Sequence, residues 1–103
     1  AYGNITLENC QINIEYTGNA VCGVNIGSYY GSNGNNPIVV TLRDTTIAVD
    51  KSASASGGMF GPTEGVPVRI NSKDITTLNI EGTCTFTMNG VAKTFDTVTK
   101  EWN

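Results

Sequence analysis

The sequence predicts an all-β domain, and three observations carry that expectation. No stretch sustains the i, i+3, i+4, i+7 apolar spacing of an amphipathic helix. Apolar and polar residues instead alternate with period two through most of the chain. The alternating runs are separated by clusters of Gly, Asn, Asp and Pro, the residues that turn a backbone most readily. At 103 residues, length alone points to a single domain with a modest core.

The elements follow in order. "NITLENCQINI" sets Ile5 and Leu7, then Ile12 and Ile14, on one face. "IVVTLRDTTIAV" does the same with Ile38, Val40 and Leu42, then Ile47 and Val49. "VPVRINSKDITTLNI" gives Val66, Val68 and Ile70, then Leu78 and Ile80, and "TCTFTM" alternates Cys84, Phe86 and Met88. Asn89-Gly90 then falls between two strand-like runs. Asn-Gly accepts positive φ at both central positions of a type I′ turn. Strands near 83–88 and 91–98 are therefore expected to pair antiparallel, with Trp102 covering one end of the core. "SYYGSNGNNP" (28–37) and "DKSASASGG" (50–58) read as polar surface connections.

Two phrases recur in the same order. TLENCQINI (Thr6 to Ile14) matches TLRDTTIAV (Thr41 to Val49) at an offset of 35, and Ile26-Gly27 through Gly31 matches Phe60-Gly61 through Gly65 at an offset of 34. A looser third copy sets Leu78-Asn79-Ile80 on Ile47-Ala48-Val49 and Ile70 on Leu42. In a stacked coil, equivalent residues form rows. Asn9 and Asp44 would share one bend, where both tolerate left-handed backbone, and Glu8 and Arg43 would stack outside as an ion pair. Glycine at the next corner would let the chain turn without a Cβ clash. The single domain 1–103 then divides into units of 3–36, 37–65 and 66–82 and a hairpin at 83–98. This reads as a short parallel β-helix of about three coils with a C-terminal β-hairpin cap, since terminal repeats are commonly atypical. An antiparallel β-sandwich is the alternative; the hairpin favours it and the repeat disfavours it.

The stretch "GVNIGSYYGSNGNNPIVVTLRDTTIAVDKSASASGGMFG" resembles the glycine-rich parallel β-helix (β-solenoid) repeats of large bacterial cell-surface proteins. There a Gly-Ile-Gly-like corner precedes an Ile-Thr-Ile strand. The likeness covers roughly residues 3–82, and the chain departs from it in its low number of coils and its terminal hairpin. It implies a right-handed coil and an extracellular, adhesive or glycan-contacting role, and it supplies no catalytic residues.

Composition narrows the function classes further. The formal charge of −3 offers nothing to a phosphate backbone, so nucleic acid is not an expected partner. No apolar run approaches the roughly 20 residues of a membrane span. No signal peptide is read, and the opening "AYGNITL" suits a mature product or an excised piece of a longer chain. With no histidine, no CxxC pair and no paired carboxylates, neither a zinc site nor general acid–base catalysis is expected, and no cofactor is implied. The glycines of "GVNIGSYYG" lack the lysine and following helix of a phosphate loop, so they read as a structural corner. Tyr29 and Tyr30 with Asn33, Asn35 and Asn36 form the candidate binding loop, because aromatic faces stack on sugar rings and Asn both donates and accepts. The competing reading is a polar loop with one tyrosine tucked onto the coil. Cys10, Cys22 and Cys84 stand either as one disulfide and a free thiol or as three small buried hydrophobes. Asn4-Ile5-Thr6 is an N-glycosylation triplet of low specificity. The chain is expected to be a non-enzymatic module with a glycan or protein ligand. A self-associating subunit of an extracellular fibre, pilus or phage-type structure is the alternative, since exposed coil edges invite end-to-end stacking.

Overall fold

The computed structural model describes residues 3–16, 22–27, 37–51, 65–71 and 73–103. These are all-β apart from a 3-10 turn at Lys73–Ile75. The strands are β1 (Asn4–Glu8), β2 (Gln11–Tyr16), β3 (Cys22–Ile26), β4 (Ile38–Arg43), β5 (Thr46–Lys51), β6 (Val66–Ile70), β7 (Thr76–Glu81), β8 (Thr85–Met88), β9 (Val91–Ala92), β10 (Phe95–Asp96) and β11 (Glu101–Trp102). They form four small sheets, ordered β1-β4-β7, β2-β5-β8-β9, β3-β6 and β10-β11. Every pairing among β1 to β8 is parallel. Among the described residues, antiparallel pairing is confined to β8–β9 and β10–β11.

The register explains the burial. Leu42 lies between Leu7 and Ile80, Val40 between Ile5 and Leu78, and Ile47 between Ile12 and Phe86. Leu42, Val40 and Ile47 have neighbours on both sides and are essentially inaccessible, as are Ile26, Ile38, Val49 and Val68. Among the described residues the first rung has a neighbour on one side only, and Leu7, Ile12 and Ile14 are half-buried and Ile5 is 38% exposed. Each fully buried aliphatic side chain stabilises the fold by about 1.5–3 kcal/mol, and that stabilisation is concentrated in the central strands β4 and β5.

The corner between the first two sheets is written in the residues that accept positive φ. Asn9 (φ 55°), Asp44 (φ 50°) and Gly82 (φ 64°) follow the paired residues Glu8, Arg43 and Glu81. The Asn9 N–H donates to Arg43 O (3.0 Å), the Asp44 N–H to Glu81 O (3.2 Å), and the Thr83 N–H to Asp44 Oδ1 (2.9 Å). A Cβ on Gly82 would run into the Asp44 carboxylate, so the third rung takes glycine. Just outside the corner, Arg43 Nη2 meets Glu81 Oε1 at 2.7 Å and Arg43 Nη1 meets Glu8 Oε2 at 3.6 Å. The Glu81 hydrogen bond, then the charges of Glu81 and Glu8, raise the already high pKa of Arg43. All three side chains are substantially exposed, so this ladder contributes little to stability.

The next column holds two of the cysteines. Cys10, Thr45 and Cys84 directly precede the strand residues Gln11, Thr46 and Thr85, which pair in register. Each tacks the corner down with a donor: Cys10 Sγ to Glu8 O (3.4 Å), Thr45 Oγ1 to Arg43 O (3.0 Å) and Leu7 O (3.3 Å), and Cys84 Sγ to Glu81 O (3.4 Å) and Leu42 O (3.5 Å). Two rungs of about 4.8 Å separate Cys10 from Cys84, well beyond the roughly 7 Å Cα limit of a disulfide. Cys10, Cys22 and Cys84 are all free and half-buried. Burial pushes the Cys22 thiol up against the opposing backbone hydrogen bond and charge of Arg69.

Three details of the expected arrangement are corrected by the register. Leu78 lies beside Val40, not Ile47, and Ile80 beside Leu42. Ile70 lies beside Ile26, 44 positions earlier, so Gly27 is followed one rung on by Asn71 rather than Gly61, and Val66–Ile70 pairs with Cys22–Ile26 rather than with β4. Finally, the run 91–98 is not one strand. Bonding to β8 ends with Lys93 N–H donating to Phe86 O at 2.8 Å, and Phe95–Asp96 pairs instead with Glu101–Trp102, which carries Phe95 into the core at 8% exposure while Val91 stays 58% exposed.

Thr76 sits opposite Ile38 in this core, 1% exposed, and its Oγ1 has no hydrogen-bond partner among the described residues. A buried hydroxyl left unpaired costs about 1–3 kcal/mol. Thr76→Val keeps the shape and removes the cost, so the variant is expected to be more stable by about 1 kcal/mol. Urea denaturation followed by circular dichroism measures this, and a destabilised Thr76→Val would show that the hydroxyl has a partner in solution.

Candidate functional site

The site is assembled at the C-terminal end by two hairpins. Asn89 (φ 52°) and Gly90 (φ 78°) turn β8 into β9 as the Asn-Gly pair requires. The turn is tied back to the sheet, with Asn89 N–H donating to Val49 O (3.0 Å) and Lys51 N–H to Asn89 Oδ1 (2.7 Å). The second turn is organised by Asp96, whose Oδ1 accepts from the N–H groups of Val98 (2.8 Å) and Thr99 (3.1 Å). The Thr99 and Val98 bonds hold its carboxyl below the ordinary range. The Lys100 N–H closes the turn on Asp96 O at 2.7 Å.

This turn delivers Trp102 onto the end of the core. Its ring meets Phe86 edge-on (4.9 Å, 69°) and Phe95 at a tilt (5.2 Å, 58°), and its Nε1–H donates to Val68 O at 2.8 Å. Lys100, held at φ 58° where Gly or Asn would be more comfortable, sends its ammonium to the carbonyls of Lys73 and Thr76. Those acceptors are neutral, so the positive charge is fixed in place without being cancelled.

Between β6, the 3-10 turn and β11 these residues enclose an open groove of about 370 Å³, within the range of small-ligand sites. Val66, Val68 and Ile70 line it with Trp102, the first two almost wholly buried, and Arg69, Lys73, Lys100 and Glu101 are its charged lining residues. Three of the chain's six Lys and Arg residues thus meet in one groove of a protein whose net charge is −3. One carboxylate accompanies them, with Lys73 Nζ 3.5 Å from Glu101 Oε1.

The chain matches no family model, no curated protein and no solved structure.

Of the residues singled out from sequence, Tyr29, Tyr30, Asn33, Asn35 and Asn36 lie outside the described residues, as does the second glycine phrase up to Glu64. Cys10 and Cys84 serve the corner column. Cys22 opens β3 opposite Val66, one of the residues that line the groove. No group of three or more His, Cys, Asp or Glu among the described residues is placed to hold a metal ion. No helix among them is long and apolar enough to cross a membrane.

Sequence reasoning missed the groove. Its residues come from two segments about 30 positions apart, and neither segment carries a motif. One signal was present: a lysine at position 100 directly after Asp-Thr-Val-Thr, where the Asp96 side chain favours a tight turn.

Proposed function

We propose that the chain is a non-enzymatic structural and binding module of an extracellular bacterial surface protein, with an adhesive, glycan-contacting role. We infer the frame to be a short right-handed parallel β-helix of about three coils with a C-terminal hairpin cap. Parallel pairing throughout β1 to β8, with each strand beside one about 35 to 44 positions away, supports that frame. The resemblance to bacterial surface repeats suggests the location. The observation that carries the binding role is the groove, where the chain's single tryptophan stands among half of its cations on a hydrogen-bonded scaffold. Immobilised neutral and acidic glycans, probed with the purified chain, test it. Saturable binding to at least one class is expected, and silence across both removes the reading.

A second reading, a self-assembling subunit of an extracellular fibre, pilus or phage-type structure, is favoured by a separate observation. Among the described residues β1, β2 and β3 each stand at the edge of their sheet, so the first rung there offers three strand edges without a partner strand, with Ile5 exposed beside them. Light scattering over a wide concentration range decides it. Growth in mass that Ile5→Lys abolishes supports assembly, and a monomer throughout excludes it.

A further inference from the structure

We propose that the outer edge of β7 takes up one strand of a protein partner, an extended segment of alternating apolar and polar residues with a Lys or Arg where it passes Glu81. This edge is a different surface from the groove, and the proposal goes beyond both readings above.

The direction of the main chain defines the edge. Along a strand, successive residues send their N–H and C=O groups to opposite sides. Glu81 O accepts from Asp44 N–H at 3.2 Å, so Thr77, Asn79 and Glu81 face β4, and Thr76, Leu78 and Ile80 face away from it. Among the described residues no strand lies on that outer side, where the order β1-β4-β7 ends.

The C-terminal cap treats the three parallel sheets differently. β9 pairs with the outer side of β8. On β6, the Trp102 Nε1–H occupies Val68 O. On β7 the Lys100 ammonium donates to Thr76 O (2.7 Å) and to Lys73 O, and so covers only the start of the strand. Among the described residues, the main chain of Leu78 and Ile80 meets no donor or acceptor on its outer side. Ile80 is half-buried, whereas Leu42 beside it on β4 is inaccessible. The gap left by the cap is therefore one strand wide, and a sheet edge is recognised by an added strand through main-chain hydrogen bonds.

Charge selects the strand. Glu8, Arg43 and Glu81 lie side by side in register, and Arg43 meets both carboxylates. The row ends on Glu81, whose side chain is 48% exposed. A Lys or Arg on the next strand continues the alternation of sign, whereas an Asp or Glu there sets like charges opposite each other. A second copy of this chain stacked in the same register is the competing occupant. It would bring its own Glu8 beside Glu81, and its β3 would meet a Val68 carbonyl already taken by Trp102. The β1 edge also ends on a glutamate, Glu8, but there β2 and β3 are equally open among the described residues, which suits a whole rung rather than one strand.

The test follows the anisotropy of a fluorescein-labelled peptide, Val-Thr-Val-Thr-Val-Lys flanked by Gly-Ser, titrated with the intact chain. Saturable binding is expected, weaker by about fivefold or more when the peptide Lys is replaced by Glu. Glu81→Gln, a change at an exposed side chain, should leave circular dichroism unchanged and remove the preference between the two peptides, and Glu8→Gln should preserve it. N-methylation of one alternate set of peptide N–H groups should abolish binding, and of the other set leave it intact, because an added strand uses one set only. The methylated peptides need no variant of the protein. No saturable binding, or equal affinity of the parent for the Lys and Glu peptides, overturns the proposal. Loss of binding with both methylated sets, or with neither, also overturns it, because the peptide is then not an added strand. A preference removed by Glu8→Gln rather than Glu81→Gln overturns it in favour of the β1 edge. Growth in mass of the chain alone that the peptide reverses overturns it in favour of a second copy.

Discussion

Trp102→Ala is expected to cost about 3–5 kcal/mol of folding free energy, a large part of the 5–15 kcal/mol typical of a domain. Three losses combine. The ring leaves Phe86 and Phe95, both in the core and both within about 5 Å of it. The Val68 carbonyl loses the indole N–H. The two-residue pairing of β10 with β11 loses its inward anchor, because Trp102 is the partner of Phe95. Trp102→Phe separates these losses. It retains much of the ring packing and gives up the hydrogen bond, for about 1–2 kcal/mol. Urea unfolding read by circular dichroism, which needs no tryptophan signal, compares them. A cost below about 1 kcal/mol for Trp102→Ala would mean that the second hairpin is not part of the cooperative unit.

Gly23→Val is expected to cost about 3 kcal/mol or more. On residue type alone the opposite sign could be argued, since glycine in a strand is unfavourable by roughly 0.5–1 kcal/mol and valine is a good strand former. The surroundings decide against that. A Cβ at position 23 would lie 2.6 Å from Ile47 Cγ2 and 2.9 Å from Pro67 O. Ile47 is fully buried in the central rung, so its methyl has nowhere to go, and the second obstacle is backbone. Strand β3 therefore lies directly against the side chains of β5 at this point. Gly23→Ala meets the same two atoms and should lose about 1–3 kcal/mol. Pairing it with Ile47→Ala, which deletes one obstacle, should give a loss smaller than the sum of the two single costs. A Gly23→Ala protein as stable as the parent would show that β3 can move away from β5.

Much of the fold was legible in the sequence, for a physical reason. Period-two alternation survives wherever one strand face is buried, and Ile38, Val40, Leu42, Ile47 and Val49 all point inward as the pattern predicts. Asn9 and Asp44 were legible as one bend because few residues accept positive φ, and both adopt it. The Asn89-Gly90 turn was legible on the same grounds. Pairing beyond the first two rungs was not. The separation between partners grows from 35 positions for Thr6 and Thr41 to 38 for Thr41 and Asn79, 39 for Thr46 and Thr85, and 44 for Ile26 and Ile70. An alternating pattern matches itself at every shift of two, so unequal connections leave the register open. Glycine was also misleading as a guide to stacking: Gly27 is succeeded by Asn71, whose side-chain amide donates to the carbonyls of Ile26 (3.0 Å) and Gly27 (3.1 Å) and to Asn25 Oδ1 (2.9 Å). The groove was illegible because convergence of like charges is a tertiary property, written in no single segment.

The wide separation of paired strands also bears on how the chain reaches this state. Each parallel rung closes a loop of 35 residues or more before it gains any contact, whereas Met88 meets Val91 and Asp96 meets Glu101 within a few residues. Loop-closure entropy rises with length, and folds dominated by distant pairs acquire structure slowly, on the order of milliseconds to seconds. The two hairpins are thus the natural seed, and the rung from β1 to β3, with a neighbour on one side only among the described residues, is the natural last arrival. Pulse-labelled amide exchange during refolding would read that order directly: protection at Lys93 and Thr94, whose N–H groups donate to Phe86 O and Asn103 O, should precede protection at Asn9, which donates to Arg43 O, and the reverse sequence would refute it.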